Sequence, residues 1–399
     1  MIINNTKLFS DPNIHYPLLN NTLSFSNYIA QSRIIIKNTR LDLQIPSINF
    51  NNEYSERTNI DAKYIINSNA PFEWYPKNHI VGKKIKYGAI LIHGLLDSPF
   101  IMRDIGNELH KEGMLVKAVL LPGHGTIPGA LLHVNYLEWS ETVRYAVETL
   151  AEEVEHIFLV GYSTGGTLAL YQAIKHLTPI SGIITFAPAL KINCPLDFFA
   201  RYPASLGAQW PRLAWFHRDK HETLDYAKYR STPFNAAYQV YRLAKVIKQS
   251  EQPNCPLFFI LSANDITVLS HVSMDYFSKN SHSKNRMIIY TKKQMNPRND
   301  HRIIIRSSVY PEMHILDFSH ISLPVRPDNS HYGIHGDYCE ASHIEEYKNN
   351  FYGESYISLM NFYNFLNKWK LTPYRYSRLS FNPDFAFMSE QIKDFILDN

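Results

Sequence analysis

The sequence predicts an α/β fold: a mainly parallel central sheet flanked by helices, interrupted by an inserted helical cap. Three observations lead there. From Tyr87 onward, apolar β-type runs alternate with segments of helical spacing, the pattern of a parallel sheet covered on both faces. One junction in that alternation, Gly161-Tyr162-Ser163-Thr164-Gly165-Gly166, is a G-x-S-x-G turn between an apolar run and a helical segment. The alternation then breaks over roughly 191–250, where Phe198, Phe199, Trp210, Trp215, Tyr226 and Tyr229 stand among Lys, Arg and His.

Residues 1–84 are Asn-rich with mixed patterning and read as an N-terminal extension packed on the core. Within them Ser32–Lys37 is consistent with either a strand or a short helix end. Ala89–Ile92 reads as a buried strand, Ile101–Lys111 as a helix, and Leu115–Leu121 as the next strand, closed by Pro122-Gly123-His124-Gly125. Leu137–Val154 has long helical spacing and many Glu, so a partly exposed helix is expected. The run 156–160, the helix after Ser163 and a strand at 182–186 continue the pattern. Residues 85–190 and 251–399 form the expected core, and 191–250 the cap, over the edge where open α/β sheets bind ligands. An ordinary helical excursion with its own local core is the alternative. Pro256–Leu261 resumes the sheet, and Met287–Tyr290 with Arg302–Ile305 read as an extra hairpin around a polar loop. Glu312–Phe318 reads as a further strand and Tyr356–Trp369 as a helix.

Composition narrows the function classes. At 399 residues, 45% hydrophobic and 19% charged, the chain is globular, with room for one large domain carrying an insertion or for two domains. A net charge of +4 without a Lys/Arg stripe disfavours nucleic acid as a partner. Cys194, Cys255 and Cys339 are odd in number and widely spaced, which fits neither a disulfide framework nor a zinc site. Met1–Leu8 lacks the charged start and apolar core of a signal peptide, and no run approaches the length of a membrane span. A soluble, cytoplasmic protein with no transmembrane segment is the expectation.

The chemistry is read from the turn at 161–165. A serine hydroxyl is a poor nucleophile near neutral pH and needs a histidine to take its proton and an acid to orient that histidine. A turn this tight leaves no room for Cβ atoms two residues either side of the serine, hence Gly161 and Gly165. Asp265 follows the strand 256–261, on a loop at the expected active edge; the preceding strand ends in Ala187-Pro188-Ala189 and offers no carboxylate. Asp317 is a competitor, but its strand position aims it elsewhere. His320 directly follows the predicted strand at 314–318, with His331, His335 and His343 as rivals. Two backbone amides would serve a developing oxyanion: Thr164, at a helix N-terminus, and Leu95, in the loop His93-Gly94-Leu95-Leu96-Asp97-Ser98-Pro99. His93 is expected to brace that loop.

Together these segments resemble the α/β-hydrolase superfamily, in its carboxylesterase, monoacylglycerol-lipase-like and serine-aminopeptidase-like branch. The matching residues are His93–Pro99, Leu121-Pro122-Gly123-His124-Gly125, Gly161–Gly166 and the Asp265 loop. Ser319-His320-Ile321-Ser322-Leu323-Pro324 with Asn329–Gly333 is similar to the histidine loop of one bacterial esterase-like group. The resemblance implies the α/β-hydrolase fold and a catalytic Ser163, Asp265 and His320. Two departures stand out: a long interval between Asp265 and His320, which the extra hairpin would fill, and an N-terminus without a membrane-targeting start. The expected activity is hydrolysis of carboxylic esters through an acyl-enzyme, on a small-molecule ester with an apolar acyl or aryl group, with no cofactor and no metal. An aminopeptidase or amidase needs a carboxylate in the cap for a substrate amine, for which Asp197, Asp219, Glu222 and Asp225 are available. An acyltransferase and a non-catalytic binding protein on the same scaffold complete the alternatives.

Overall fold

The computed structural model describes residues 5–20, 22–40, 61–175, 177–193, 214–219, 225–293, 300–336, 338, 350–352 and 375–399. The helix expected at Tyr356–Trp369, part of the expected cap (194–213 and 220–224), Cys194, Cys339 and His343 lie outside the described residues. By chain contacts the molecule divides into two compact units, Met1–Ile183 with Cys194–Cys255, and Ile184–Asn193 with Pro256–Asn399. Both hold parallel strands with helices between them, which is the α/β class that the alternation predicts.

In the first unit four strands, β1 (Phe72–Trp74), β2 (Ile85–Ile92), β3 (Leu115–Val119) and β4 (Val154–Tyr162), lie in the order β1-β3-β2-β4. β1 pairs antiparallel with β3; β3, β2 and β4 run parallel. The register sets Ile92 opposite both Val119 and Gly161, so these three strands end level. The loops at 93–98, 120–125 and 163 therefore leave the sheet along one edge. Ala89–Ile92 and Phe158–Val160 are fully buried, as strands covered on both faces must be.

Three helices of this unit start where the sequence supplies a side-chain cap. The unit's first helix, α1 (Asn5–Leu8), is a single turn. α2 (Phe25–Thr39) begins at Ser24, whose side chain accepts from Asn27 N–H. Its buried residues Phe25, Tyr28, Ile29, Ser32 and Ile36 fall at i, i+3, i+4, i+7 and i+11, one face of a helix, so Ser32–Lys37 is helix and Ile34 faces solvent. α3 (Ala62–Asn69) is capped by Asp61. A 3₁₀ turn at Pro99–Met102 leads into α4 (Arg103–Lys111). α5 (Tyr136–Ala151) opens on a capping box in which Asn135 and Glu138 bond one another's backbone N–H region. α6 (Thr164–Lys175) follows the serine turn. The short antiparallel pair β6 (Trp215–His217) and β7 (Thr232–Pro233) precedes α7 (Phe234–Gln249), which packs on α5 and α6.

The chain passes to the second unit within β5 (Gly182–Phe186). The order there is β5-β8-β9-β10, with β8 at Leu257–Ser262, β9 at Arg286–Thr291 and β10 at Ile303–Ser307. α8 (Ser270–Ser278) follows β8, and α9 (Phe385–Leu397) ends the chain. Asn350–Tyr352 (β11) and Arg375–Ser377 (β12) form a separate parallel pair.

Two expectations are corrected in this unit. Residues 287–290 and 302–305 do not make a hairpin: β9 and β10 run parallel, Met287 opposite Ile303. Parallel neighbours cannot be closed by a tight turn. Nor is there a strand over Glu312–Phe318. Pro311 opens a 3₁₀ turn to Met313, His314 is left-handed at φ 54°, and Ile315 makes only single bridges, to Tyr310 and Tyr352. A left-handed residue interrupts any extended run.

Candidate active site

In the first unit, Ser163 stands alone between the last residue of β4 and the first of α6, at φ 54° and 7% exposed. A non-glycine residue in this region is strained, and the surroundings show what enforces it. A Cβ on Gly161 would lie 2.3 Å from the carbonyl oxygen of Gly165, and one on Gly165 would lie 2.1 Å from that of Ile92. The start of α6 is thus pressed against the end of β2, and only glycine permits it. The Ser163 carbonyl accepts from Thr167 N–H at 3.2 Å. Thr164 begins the helix, where backbone N–H groups lack intrahelical partners and the dipole favours negative charge.

The loop after β2 holds Leu95. Gly94 lies so close to Asp97 Oδ2 and the Tyr162 ring that a Cβ there would meet them at 2.8 and 3.0 Å. Asp97 N–H donates to Gly94 O at 3.3 Å, and Leu96 is left-handed at φ 70°. His93 is fully buried: Nε2 accepts from Leu121 N–H at 3.1 Å, so Nδ1 carries the proton and donates to Gly94 O at 2.8 Å. Burial, then the neighbouring His124, hold its pKa well below the usual imidazole range. This is the bracing role expected of His93. His124 packs edge-on against it at 4.9 Å and is itself pushed down by burial to about 4.

Sequence reasoning missed how the segment 225–231 grips this loop. Leu96 O accepts from Tyr229 N–H at 2.8 Å, and Lys228 Nζ lies 3.1 Å from Oδ1 of the buried Asp97. The Tyr229 hydroxyl reaches Thr126 N–H at 2.6 Å and Gly123 O at 3.2 Å. The available signal was Asp97 itself, an acid in an otherwise apolar turn, which calls for a cationic partner when buried.

In the second unit, Asp265 and His320 are brought together. Asp265 Oδ1 accepts from Thr267 N–H (2.8 Å) and Val268 N–H (3.0 Å), while Oδ2 lies 2.6 Å from His320 Nδ1. Both are buried, at 7% and 4% exposure. A carboxylate there makes Nδ1 the protonated nitrogen and leaves Nε2 as the one able to take a proton. The stretch carrying His320 is fastened on both sides: Ser262 Oγ donates to Phe318 O at 3.2 Å and Ser319 Oγ to Leu379 O at 2.5 Å. Asp317 is buried and paired with Lys292 at 2.9 Å. His331 is buried against Tyr332 and Tyr338, and His335 is exposed. Of the four carboxylates considered for an amine, Asp219 bonds Arg230 at 2.9 Å and Asp225 accepts from Ala227 N–H at 3.0 Å; Asp197 and Glu222 lie outside the described residues.

A glycine-flanked elbow at the end of a parallel strand, on an α/β scaffold, is the arrangement of the α/β-hydrolases, in their lipase- and esterase-like branch. Residues 83–294 match the model of the family Hydrolase_4, described as serine aminopeptidase, S33, and the chain belongs to that family. It is 30% identical over 185 residues to the thermostable monoacylglycerol lipase of Bacillus sp. (strain H-257), covering 45% of this chain and 71% of that one. It is 26% identical over 178 residues to the 2-succinyl-6-hydroxy-2,4-cyclohexadiene-1-carboxylate synthase of Enterobacter sp. (strain 638), covering 44% of this chain and 65% of the synthase. Among solved structures, the monoacylglycerol lipase of Paleococcus ferrophilus is similar at 20% identity, with a TM-score of 0.45, over 55% of this chain and 88% of that one.

Proposed function

We propose that the protein is a serine hydrolase that cleaves carboxylic esters through an acyl-enzyme on Ser163. The observation that carries this reading is the Asp265–His320 hydrogen bond of 2.6 Å, with the other carboxylate oxygen tied down by two backbone N–H groups. Such a pair is what a serine needs from a base and its orienting acid.

In this mechanism Ser163 Oγ attacks the acyl carbonyl and His320 Nε2 takes its proton. The tetrahedral oxyanion is received by the N–H groups of Thr164 and Leu95, each supplying about 3 kcal/mol of barrier lowering. His320 returns the proton to the departing alcohol, and water then releases the acyl group by the same steps in reverse. Asp265 holds the imidazole in the useful tautomer throughout. No step requires a cofactor or a metal.

A lipid or other apolar ester is the substrate class, on two supports. One is the monoacylglycerol lipase among the relatives. The other is the segment 191–250, read as the cap, whose described part carries Trp215, Phe216 and Phe234. A purified sample should hydrolyse p-nitrophenyl esters of graded chain length faster than aminoacyl amides. Ser163→Ala should remove turnover, and a fluorophosphonate probe should label Ser163 alone. Full activity in that variant, or labelling elsewhere, overturns the reading.

A further inference from the structure

The loop that enters β2 is strongly basic and has an apolar tip. Residues 76–86, Pro-Lys-Asn-His-Ile-Val-Gly-Lys-Lys-Ile-Lys, contain four lysines and no acid. Two successive turns, His79 N–H to Pro76 O and Lys83 N–H to Ile80 O, both 3.0 Å, hold Ile80 and Val81 outward. These two are 59% and 91% exposed, among the most exposed large apolar side chains described. Gly82 beside them has φ 85° and nothing within 4 Å of where a Cβ would stand. Pro76, His79, Ile80, Lys83, His110 and Lys111 line an open cleft of about 580 Å³ beneath the tip.

The cations differ in their commitments. Lys84 Nζ donates to Ala151 O at 2.9 Å and Lys111 pairs with Glu108 at 2.8 Å. Lys86 sits over the Tyr87 ring with Glu155 nearby. Lys77 and Lys83 are exposed and form no ion pair among the described residues.

We propose that this loop docks on an anionic lipid bilayer, with Ile80 and Val81 seated among the headgroups and Lys77 and Lys83 against lipid phosphates. A folded protein partner would need a concave apolar pocket for so convex a tip; a bilayer needs none, and lysines around a small apolar wedge match its interfacial chemistry. Charge complementarity favours the anionic leaflet. The loop enters β2 at Ile85, whereas the Leu95 loop leaves it after Ile92, about 23 Å away at the usual strand rise. Docking there would thus engage the edge of the first unit opposite the serine elbow.

The test uses the full chain in flotation with phosphatidylcholine vesicles, with and without phosphatidylglycerol. Flotation with the anionic vesicles only, weakened by salt, is expected. The pair Lys77→Gln/Lys83→Gln should weaken partition about fivefold for each lysine, and Ile80→Ser/Val81→Ser about tenfold. Both variants should keep the wild-type circular dichroism and thermal midpoint, since all four side chains face solvent. No flotation, equal flotation with neutral vesicles, or flotation indifferent to Ile80→Ser/Val81→Ser overturns the proposal. Competition by soluble polyphosphate that leaves Ile80→Ser/Val81→Ser indistinguishable from wild type also overturns it, by assigning the surface to a dissolved polyanion.

Discussion

At the scale of single residues, Ser163 carries backbone strain that its neighbours impose. A left-handed serine costs on the order of 1 kcal/mol that glycine does not pay. Ser163→Gly should therefore unfold at a higher temperature than Ser163→Ala, and calorimetry of the two variants checks it. Gly165→Ala should act in the opposite sense, because its Cβ would meet the Ile92 carbonyl oxygen at 2.1 Å; loss of soluble, cooperatively unfolding protein is the expected result. Asp265→Asn replaces the acceptor of the Nδ1 proton with an amide that can turn its donor toward the ring. A fall in kcat of about ten-thousandfold, with KM little changed, is expected. A fall of less than tenfold would mean that the imidazole is oriented by something else.

At the scale of elements, what could be read from the sequence depended on whether the cause was local. The serine turn was legible because its glycines answer a backbone demand within five residues. The strands β2, β4 and β8 were legible because their apolar runs are continuous and turn residues bound them. The direction of β10 was not: a short isoleucine-rich run has the same period whichever way it pairs, and only its register on β9 reveals a parallel neighbour. The approach to His320 failed for a different reason. Alternation at 312–318 looks extended, but Pro311 and the left-handed His314 impose a 3₁₀ turn. His320 is nonetheless fastened beside Asp265, by serine hydroxyls from β8 and from its own loop. Asp97 signalled a cationic partner, but that Lys228 and Tyr229 grip the Leu96 turn lay out of reach because the contacts join residues more than 130 positions apart. Capping was legible: Asn135→Ala removes half of a capping box and should lower stability by about 1 kcal/mol in urea unfolding.

At the scale of the whole molecule, stability should depend on two buried imidazoles. His93 and His124 are held neutral inside the first unit, while in the unfolded chain each titrates near the ordinary value. The unfolded state therefore binds more protons as pH falls, and stability is complete above about pH 6.5 and lost progressively toward pH 4. His124 alone accounts for roughly 3 kcal/mol over that window. Urea midpoints measured between about pH 7.5 and pH 4.5 should fall, and His124→Gln should flatten the fall. An unchanged acid limb in that variant would locate the proton uptake elsewhere. The tie between Lys228 and Asp97 has a practical corollary for anyone redesigning the enzyme's selectivity. Exchanging the 225–231 stretch for a homologous one also exchanges the cation at 228 that faces the buried acid at 97. Such chimeras should carry the lysine along, or replace both partners together with an uncharged pair of similar volume.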